Sequence, residues 1–241
     1  MPFDRSSGEN GRGVQMTDTS YAGKTADYFE DRRDQTLPFI PIGARHVLEV
    51  GCGNAAFAAH LKTQRRVEVT AIEAHPAAAD VAHDRVDRLL SSSIEDALPK
   101  LAGEHFDCIV LNDVLEHLVD PWDVLTRLRH FLAPDGVVVA SIPNIRYHPV
   151  FKEFVLQGRW QYRQDGVMDR THLRFFTRQS MQELFVSTGY AMRRIEGINA
   201  ISLPWKFSLL NQLCGQALAD TRFKQFACVA GLVGNDASPR L

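Results

Sequence analysis

A short apolar segment that runs directly into two closely spaced glycines most restricts how this chain can fold. Residues 47–53 read VLEVGCG, and the sequence behind them, Ala55–Lys62, has a helical composition. A strand, a Gly-x-Gly turn and a helix in this order let the main chain approach a ligand closely, because glycine tolerates positive φ angles. Glu73 ends the next predicted strand, where a carboxylate can accept hydrogen bonds from both hydroxyls of a ribose. The two features predict a nucleoside-containing ligand at these strand ends.

Apolar strands alternate with helices along most of the chain. The strands are apolar throughout, which is typical of parallel strands covered on both faces of a sheet. The predicted strands are His46–Val50, Val67–Glu73, Phe106–Asn112, Gly136–Pro143, 190–197 and 223–233. The predicted helices are Ala55–Lys62, Pro76 to about Leu90, Asp120–Leu132 and Thr177 to about Thr188, and a weak strand near Leu90–Ser93 is left open. The pattern predicts an α/β fold with a doubly wound, mostly parallel sheet.

Two segments interrupt this alternation. Residues 144–176 and 198–222 are rich in aromatic side chains, and the first also carries five arginines. Segments of this length inside a domain are typical of lids or binding insertions. Residues 1–20 have few large apolar side chains and are predicted to form a flexible tail. Residues 21–241 are then a single domain with two insertions.

Composition narrows the class of partner. The formal net charge is −2 and 45% of the residues are hydrophobic. A near-neutral charge disfavours nucleic acid as a partner, because domains that bind nucleic acid usually carry a basic excess. It also gives no reason to expect binding to a negatively charged membrane surface. No apolar stretch approaches the ~18 residues of a membrane span, and the first residues lack the apolar core of a secretory signal. A cytoplasmic protein with no integral membrane segment is expected.

Glu49 discriminates between two ligands that the glycine pattern allows. Gly51-x-Gly53-x-x-Ala56 formally satisfies the dinucleotide fingerprint, in which the third position accepts alanine. A carboxylate two residues before the first glycine is a poor neighbour for a pyrophosphate, but it favours the ammonium group of an amino acid or a sulfonium. The sequence therefore favours a cationic nucleoside ligand over NAD.

Taken in order, the motifs resemble those of class I S-adenosylmethionine-dependent methyltransferases. VLEVGCGN resembles their first motif, AIEAHP their second, and FDCIVLNDVLEHLVDP with GVVVASIPN the later ones, over residues 24–190. The resemblance implies a seven-stranded, Rossmann-like methyltransferase sheet with an antiparallel last strand, and S-adenosyl-L-methionine as cofactor. The stretch DRTHLRFFT, residues 169–177, is similar to one found in methyltransferases of sugar and polysaccharide modification.

The resemblance also implies a set of residues that hold the cofactor. They are Tyr28, Glu49, Gly51, Gly53, Glu73, Ala74, Ser93, Ile94 and Asn112. Within this set Glu73 would hold the ribose hydroxyls, and Ser93 and Ile94 would contact the adenine. Ser93 stands where the family often has an acid, and Ala55 where it often has glycine, so both depart from the pattern. For Tyr28, a packing role is an equal alternative.

Three side chains are candidates for catalysis. A hydroxyl nucleophile gains from a general base near the methyl donor. Asp113 and His117 are expected one helical turn apart, and a structural role for His117 is equally open. His172 is the preferred base or substrate orienter. In the competing interpretation Asp169, Arg170 and His172 form a network that fixes the lid.

Two aromatic residues and the metal question complete the site hypothesis. Tyr147 and Trp160 either supply platforms for a sugar ring or form the local core of the insertion. The nine histidines and four cysteines show no ligand spacing or compact cluster, so no metal is expected.

The sequence thus predicts a methyltransferase acting on a hydroxyl of a small-molecule or glycan acceptor, with no nucleic-acid partner and with a homodimer left open. Two alternatives remain. One is an NAD-dependent oxidoreductase on a Rossmann-type sheet, and the other is a catalytically inactive, cofactor-binding regulatory module.

Overall fold

Seven strands form one sheet in the computed structural model, which describes residues 32–234. The strands are β1 (His46–Val50), β2 (Glu68–Glu73), β3 (Arg88–Ser91), β4 (Phe106–Asn112), β5 (Leu132–Pro143), β6 (Tyr190–Ala200) and β7 (Phe223–Leu232). Their order is β3-β2-β1-β4-β5-β7-β6, and β1 to β5 pair in parallel. Strand β7 is antiparallel to both β5 and β6. The predicted Rossmann-like sheet with an antiparallel last strand is confirmed.

Seven α-helices accompany these strands in the described part of the chain. They are α1 (Ala56–Gln64), α2 (Pro76–Ala82), α3 (Ile94–Ala97), α4 (Pro121–Leu128), α5 (His148–Gln157), α6 (Arg178–Ser187) and α7 (Trp205–Leu213). Side-chain caps explain several of the starts. Helix α6 begins with a capping box, in which the N–H of Ser180 donates to Oγ1 of Thr177 at 3.2 Å and the N–H of Thr177 donates to Oγ of Ser180 at 2.9 Å.

The sheet is covered on both faces. Alternate residues of a strand point to opposite faces, and in β4 Ile109 and Leu111 belong to one buried cluster while Cys108 and Val110 belong to another. All four side chains are fully buried. This two-sided burial is the reason that the strands lack the alternation of polar and apolar residues.

Two predicted helices end earlier than expected. The helix from Pro76 stops at Ala82, because Arg88–Ser91 pairs with β2 as the sheet's edge strand β3. The weak strand near Leu90–Ser93 is therefore real, although it begins two residues earlier. The helix beginning near Asp120 stops at Leu128, since Leu132 already pairs with Phe106 of β4. The tail 1–20 and Tyr28 lie outside the described residues. No helix within residues 32–234 has the length and apolarity to cross a membrane.

Both insertions emerge at the edge of the sheet that also carries the glycine turn. Residues 144–176 follow the carboxyl end of β5, and residues 198–222 link β6 to β7. Because β6 runs in the same direction as β5, this link lies at the same edge. The insertions contact each other there, with the rings of His148 and Phe207 4.4 Å apart. In open α/β sheets this edge is where ligands bind.

Candidate functional site

The carboxyl ends of three neighbouring strands bring the predicted cofactor residues together. Val50 is in register with Ile72 of β2 on one side and with Leu111 of β4 on the other. The residues that follow these positions, Gly51, Glu73 and Asn112, therefore lie side by side at one edge of the sheet.

The turn after β1 requires glycine at its first position. Gly51 has a φ of 67°, and a Cβ atom placed there would lie 2.8 Å from Cγ2 of Val114. Gly53 also has a positive φ, 55°. Ala55 adopts the same left-handed conformation, with φ 57°, at the residue before α1. The chain thus keeps the glycine-like backbone at Ala55, at a cost of about 1–2 kcal/mol.

Glu73 is held by the main chain of this turn. The N–H of Gly53 donates to Oε2 of Glu73 at 2.7 Å, and the N–H of His75 donates to Oε1 at 2.8 Å. The side chain is buried, and desolvation raises its pKa although both N–H groups act in the opposite direction. The glycine turn therefore sets the position of the carboxylate that sequence analysis assigned to a ribose.

Polar atoms without a hydrogen-bond partner among residues 32–234 mark the middle of the edge. They are Oε2 of Glu49 and both amide atoms of Asn112, whose residues are 3% and 7% exposed. Desolvation, followed by the nearby Glu73 carboxylate, raises the pKa of Glu49 to about 8. Buried polar atoms normally have partners, so this arrangement fits a ligand that carries donors, acceptors and positive charge, as S-adenosylmethionine does.

The adenine-side residues are less open than expected. Ser93 is the N-cap of α3, and its hydroxyl donates to Oδ2 of Asp96 at 3.0 Å and accepts from the N–H of Asp96 at 3.2 Å. Ile94 is buried, whereas Ala74 is exposed. The hydroxyl of Ser93 therefore already serves to begin a helix.

Asp113 joins three parts of the chain. Its carboxylate accepts hydrogen bonds from Arg33, from Oγ of Ser141 and from the side-chain amide of Gln225. Asp113 has a φ of 53°. Between Asp113 and His117 the chain forms a 3₁₀ turn at Leu115–His117 and no α-helix. The expectation that Asp113 and His117 lie one helical turn apart is therefore wrong. The left-handed residue directs the Asp113 carboxylate toward β5 and β7 instead.

His117 and His172 meet, although 54 residues separate them in the chain. Their ring centroids are 4.7 Å apart. Nδ1 of His117 lies 3.2 Å from the carbonyl oxygen of Thr171, and Nδ1 of His172 lies 3.0 Å from that of Val167. A carbonyl oxygen only accepts, so each Nδ1 carries the proton. Nε2 is therefore the ring atom through which either imidazole would exchange a proton with a ligand.

Glu116 completes this cluster and was missed by sequence analysis. Its residue is 1% exposed, Oε1 lies 3.9 Å from Nε2 of His172, and neither oxygen has a hydrogen-bond partner among the described residues. Burial, and then the Asp113 carboxylate, raise its pKa well above the usual range. The signal available in the sequence was a carboxylate inside the apolar run VLEHL.

The three side chains Glu116, His117 and His172 could also hold a metal ion. One ligand atom from each lies within 4.8 Å of the others. Two imidazole nitrogens and a carboxylate suit zinc and related divalent metals. The expectation that the histidines form no compact cluster is wrong for this pair.

The DRTHLRFFT stretch is anchored onto the turn that carries His117. The N–H groups of Leu173 and Arg174 donate to the carbonyl oxygen of Glu116 at 2.8 and 3.0 Å. Asp169 Oδ1 accepts from the N–H and the hydroxyl of Thr171 at 2.9 and 2.8 Å, whereas Arg170 is exposed. Asp169 thus fixes the loop next to His172 through Thr171, and the network of Asp169, Arg170 and His172 stays a prediction.

The two candidate aromatic platforms differ in their surroundings. Tyr147 packs against a small buried cluster of Val150, Val167 and Met168. Trp160 is 44% exposed, and its ring lies edge-on to those of Phe154 and Phe175 at 5.7 and 5.3 Å. Of the two, Trp160 presents more surface to a ligand.

Comparisons with known proteins agree with this architecture. The family model described as "Methyltransferase domain" matches residues 21–195. A ubiquinone biosynthesis O-methyltransferase of Cereibacter sphaeroides is 25% identical over 182 residues, which cover 73% of this chain and 72% of that protein. Among solved structures, a SAM-dependent methyltransferase from Archaeoglobus fulgidus has a TM-score of 0.60 at 16% identity, covering 86% of this chain and 94% of that one.

A second solved structure, a SAM-dependent methyltransferase from Aquifex aeolicus, has a TM-score of 0.58 at 13% identity and covers 91% of this chain and all of that one. At such identities the structural likeness shows the fold alone, and the family model, which spans most of the chain, shows the family. The chain belongs to the methyltransferase-domain family of class I S-adenosylmethionine-dependent methyltransferases.

Proposed function

We propose that this methyltransferase acts on a hydroxyl group of a small-molecule or glycan acceptor. The observation that carries the proposal is the contact between two imidazoles, that of His117 on the turn that follows β4 and that of His172 on the insertion after β5, each with its Nδ1 held by a main-chain carbonyl oxygen. When bound, S-adenosylmethionine supplies a methyl group already activated by a positively charged sulfur. A hydroxyl nucleophile still benefits from a base, and imidazole is the side chain most often used for that role near neutral pH.

The strand ends supply the cofactor contacts in this proposal. Glu49 and Asn112 present buried polar atoms that lack partners among the described residues, and Glu73 is fixed by the glycine turn. We assign the positively charged end of the cofactor to Glu49 and Asn112 and the ribose to Glu73. Gly51 and Gly53 let the main chain approach the ligand. Tyr28, Ala74, Ser93 and Ile94 stay predicted contacts.

The three catalytic candidates receive different roles. The Asp113 carboxylate already accepts from three side chains, so we assign it to positioning the turn between β4 and His117. Nδ1 of His172 is held by the carbonyl oxygen of Val167 and the ring is presented by the insertion that begins after β5, so we assign its Nε2 to accepting the proton of the hydroxyl. His117, in edge-to-face contact with His172, orients it.

Two further observations support a hydroxyl acceptor. The Cereibacter sphaeroides relative is named as an O-methyltransferase. The insertion that carries His172 also carries the half-exposed Trp160 and the exposed Arg170, which could bind an aromatic or sugar ring and an anionic group. The regulatory-module alternative requires the same cofactor site but no turnover.

The direct test incubates the protein and methyl-labelled S-adenosylmethionine with cell extract and follows the label by mass spectrometry. Labelled ethers in a small-molecule or glycan fraction are expected. Cofactor binding measured by calorimetry without any labelled product across a broad acceptor panel would favour the regulatory module. Label on nitrogen or carbon only would contradict the proposal.

A further inference from the structure

Helix α7 exposes large apolar side chains and buries a polar one. Its one buried residue is Asn211, while Trp205 and Leu213 are 71% and 79% exposed and Leu209 is 52% exposed. These three side chains recur every four residues and so form one stripe along the helix. The buried Asn211 accepts at Oδ1 from the N–H of Leu218 at 2.8 Å, which fixes the turn behind the helix. The packing of α7 onto the protein therefore leaves its apolar stripe outside.

Helix α5 also exposes large apolar side chains. Val150 is its one buried residue, whereas Phe154, Val155 and Leu156 are 54%, 53% and 73% exposed. A helix that packs on a core normally buries its apolar side chains. Helix α5 instead exposes three consecutive large apolar side chains at its carboxyl end. In helix α4, which covers the sheet, the apolar residues Val124, Leu125 and Leu128 are buried.

The two helices belong to one surface. Phe207 of α7 lies 4.4 Å from the ring of His148 and 6.3 Å from that of Phe151, both in α5. We define the α5–α7 surface as nine side chains, which are Phe154, Val155, Leu156, Trp160, Tyr162, Trp205, Leu209, Leu210 and Leu213. They are nine of the sixteen large apolar side chains exposed in the described part of the chain. Such a concentration marks an interaction site.

Positive charge accompanies this surface. The insertions 144–176 and 198–222 together hold eight lysines and arginines against four aspartates and glutamates, a net charge of +4, although the whole chain carries −2. Two of the acids, Glu153 and Asp220, are paired with Arg163 and Arg146. Exposed cations on the two helices, Lys152 and Lys206, are left with no ion-pair partner among residues 32–234.

We infer that the α5–α7 surface docks onto an anionic lipid bilayer, with the apolar stripe entering the boundary between headgroups and acyl chains. Exposed tryptophan and leucine beside lysine are side-chain types with which a surface helix enters the membrane interface. The flexible stems of Lys152 and Lys206 allow their ammonium groups to reach headgroup phosphates while the helices lie flat. The near-neutral total charge concealed this local excess.

The positive charge also disfavours a second copy of the chain as the partner of this surface. A two-fold dimer through this surface would place the same positive groups of both copies opposite one another. An anionic bilayer complements them, because each lysine near such a surface contributes favourably. A membrane is therefore the occupant that the observations favour.

The surface is continuous with the candidate site through a series of aromatic contacts. The ring of Trp160 lies 5.3 Å from that of Phe175, which lies 6.3 Å from the ring of His172. If His172 has the role proposed above, a docked molecule would hold its site next to the bilayer. The docking inference itself is independent of that role.

The test is co-sedimentation of the full-length protein with phosphatidylcholine vesicles that contain or lack phosphatidylglycerol. Binding to the anionic vesicles is expected to fall with increasing salt. Lys152→Gln and Lys206→Gln should each lower the partition constant about fivefold. Leu209→Ser and Leu213→Ser should each lower it about tenfold or more. All four changes lie on the surface, so circular dichroism and cofactor affinity should stay unchanged.

Matched controls lie at the opposite edge of the sheet. Ile42→Ser removes an even more exposed apolar side chain before β1, and Lys100→Gln removes an exposed lysine before β4, so neither should change vesicle binding. Failure of the parent protein to bind anionic vesicles would overturn the inference. So would equal losses in the controls, or α5–α7 variants that convert a dimer into a monomer in sedimentation velocity without any vesicle binding.

Discussion

The backbone N–H of Gly53 donates a 2.7 Å hydrogen bond to Oε2 of Glu73, so the glycine turn and the acid that ends the next strand are directly joined. The turn therefore orients the carboxylate as well as giving the main chain room. Because the same side chain accepts from the N–H of His75, both of its oxygens are fixed before any ligand arrives. A preorganised carboxylate loses little entropy on binding a diol.

Replacing Glu73 by alanine should weaken the binding of S-adenosylmethionine by about 10- to 100-fold, since hydrogen bonds to a charged group contribute about 1.5–3 kcal/mol. Isothermal titration calorimetry measures the affinity. Glu68→Ala, at the exposed start of the same strand, is the matched control and should bind normally. Equal affinities for the two variants would exclude Glu73 from the cofactor site.

Gly51→Ala should lower the free energy of unfolding by about 2–4 kcal/mol. The alanine would have to adopt the left-handed backbone conformation, and its Cβ atom would also clash with a neighbouring side chain. The new Cβ would lie 2.8 Å from Cγ2 of Val114. Chemical denaturation followed by circular dichroism gives the value. Gly43→Ala has no neighbour within 4 Å and should be nearly neutral. Adding Val114→Ala to Gly51→Ala should recover only the steric part of the loss.

The pKa of Glu49, raised by burial from 4.5 to about 8, predicts a pH dependence of stability. Between these two values the folded protein binds a proton that the unfolded chain has already released. The free energy of unfolding should therefore fall as the pH rises through this window, by at most about 1.4 kcal/mol per pH unit for this group.

Glu49→Gln should flatten that fall, and denaturation at about pH 6 and about pH 8 would show it. Glu73 and Glu116 have pKa values raised in the same direction, so the slope should decrease without vanishing. A variant with the same slope as the parent would show that Glu49 is ionised in the folded protein. Glu95→Gln, an exposed acid in α3, is the control.

His172→Asn should lower kcat for the acceptor about 10²- to 10⁴-fold while leaving cofactor affinity unchanged. The asparagine amide can still donate to the carbonyl oxygen of Val167, as Nδ1 does now, but the proposed base at Nε2 is lost. A base also predicts that the acidic limb of the pH–rate profile disappears in the variant. His130→Asn, at an exposed position, should behave as the parent does. A normal kcat in His172→Asn would contradict the assignment.

Sequence reasoning reached the sheet because its strands are buried on both faces and read as continuous apolar runs. It found β1, β4 and the glycine turn with correct bounds, since these signals are local. It extended the helix from Pro76 through the segment that forms β3, because Leu89 and Leu90 fit either a helix face or an edge strand. Pairing with β2 decides between them, and pairing is a long-range property.

The candidate site divides in the same way. Glu49, Glu73 and Asn112 lie at strand ends that the sequence pattern locates. Two other contacts join segments that are distant in the chain. They are the ring contact of His117 with His172 and the hydrogen bond from the side-chain amide of Gln225 to the carboxylate of Asp113. Neither a helical period nor a motif spacing encodes such contacts, which follow from how the insertion folds back over the edge.

Strand β7 is the last strand of the described chain, yet it lies between β5 and β6 in the interior of the sheet. Its residues Phe226, Cys228 and Ala230 are part of the main buried cluster. A nascent chain that has not yet emerged past residue 232 would therefore leave two strands with open edges. Closure of the sheet has to wait for this segment, so during synthesis the unfinished domain exposes strand edges that are able to pair with another chain.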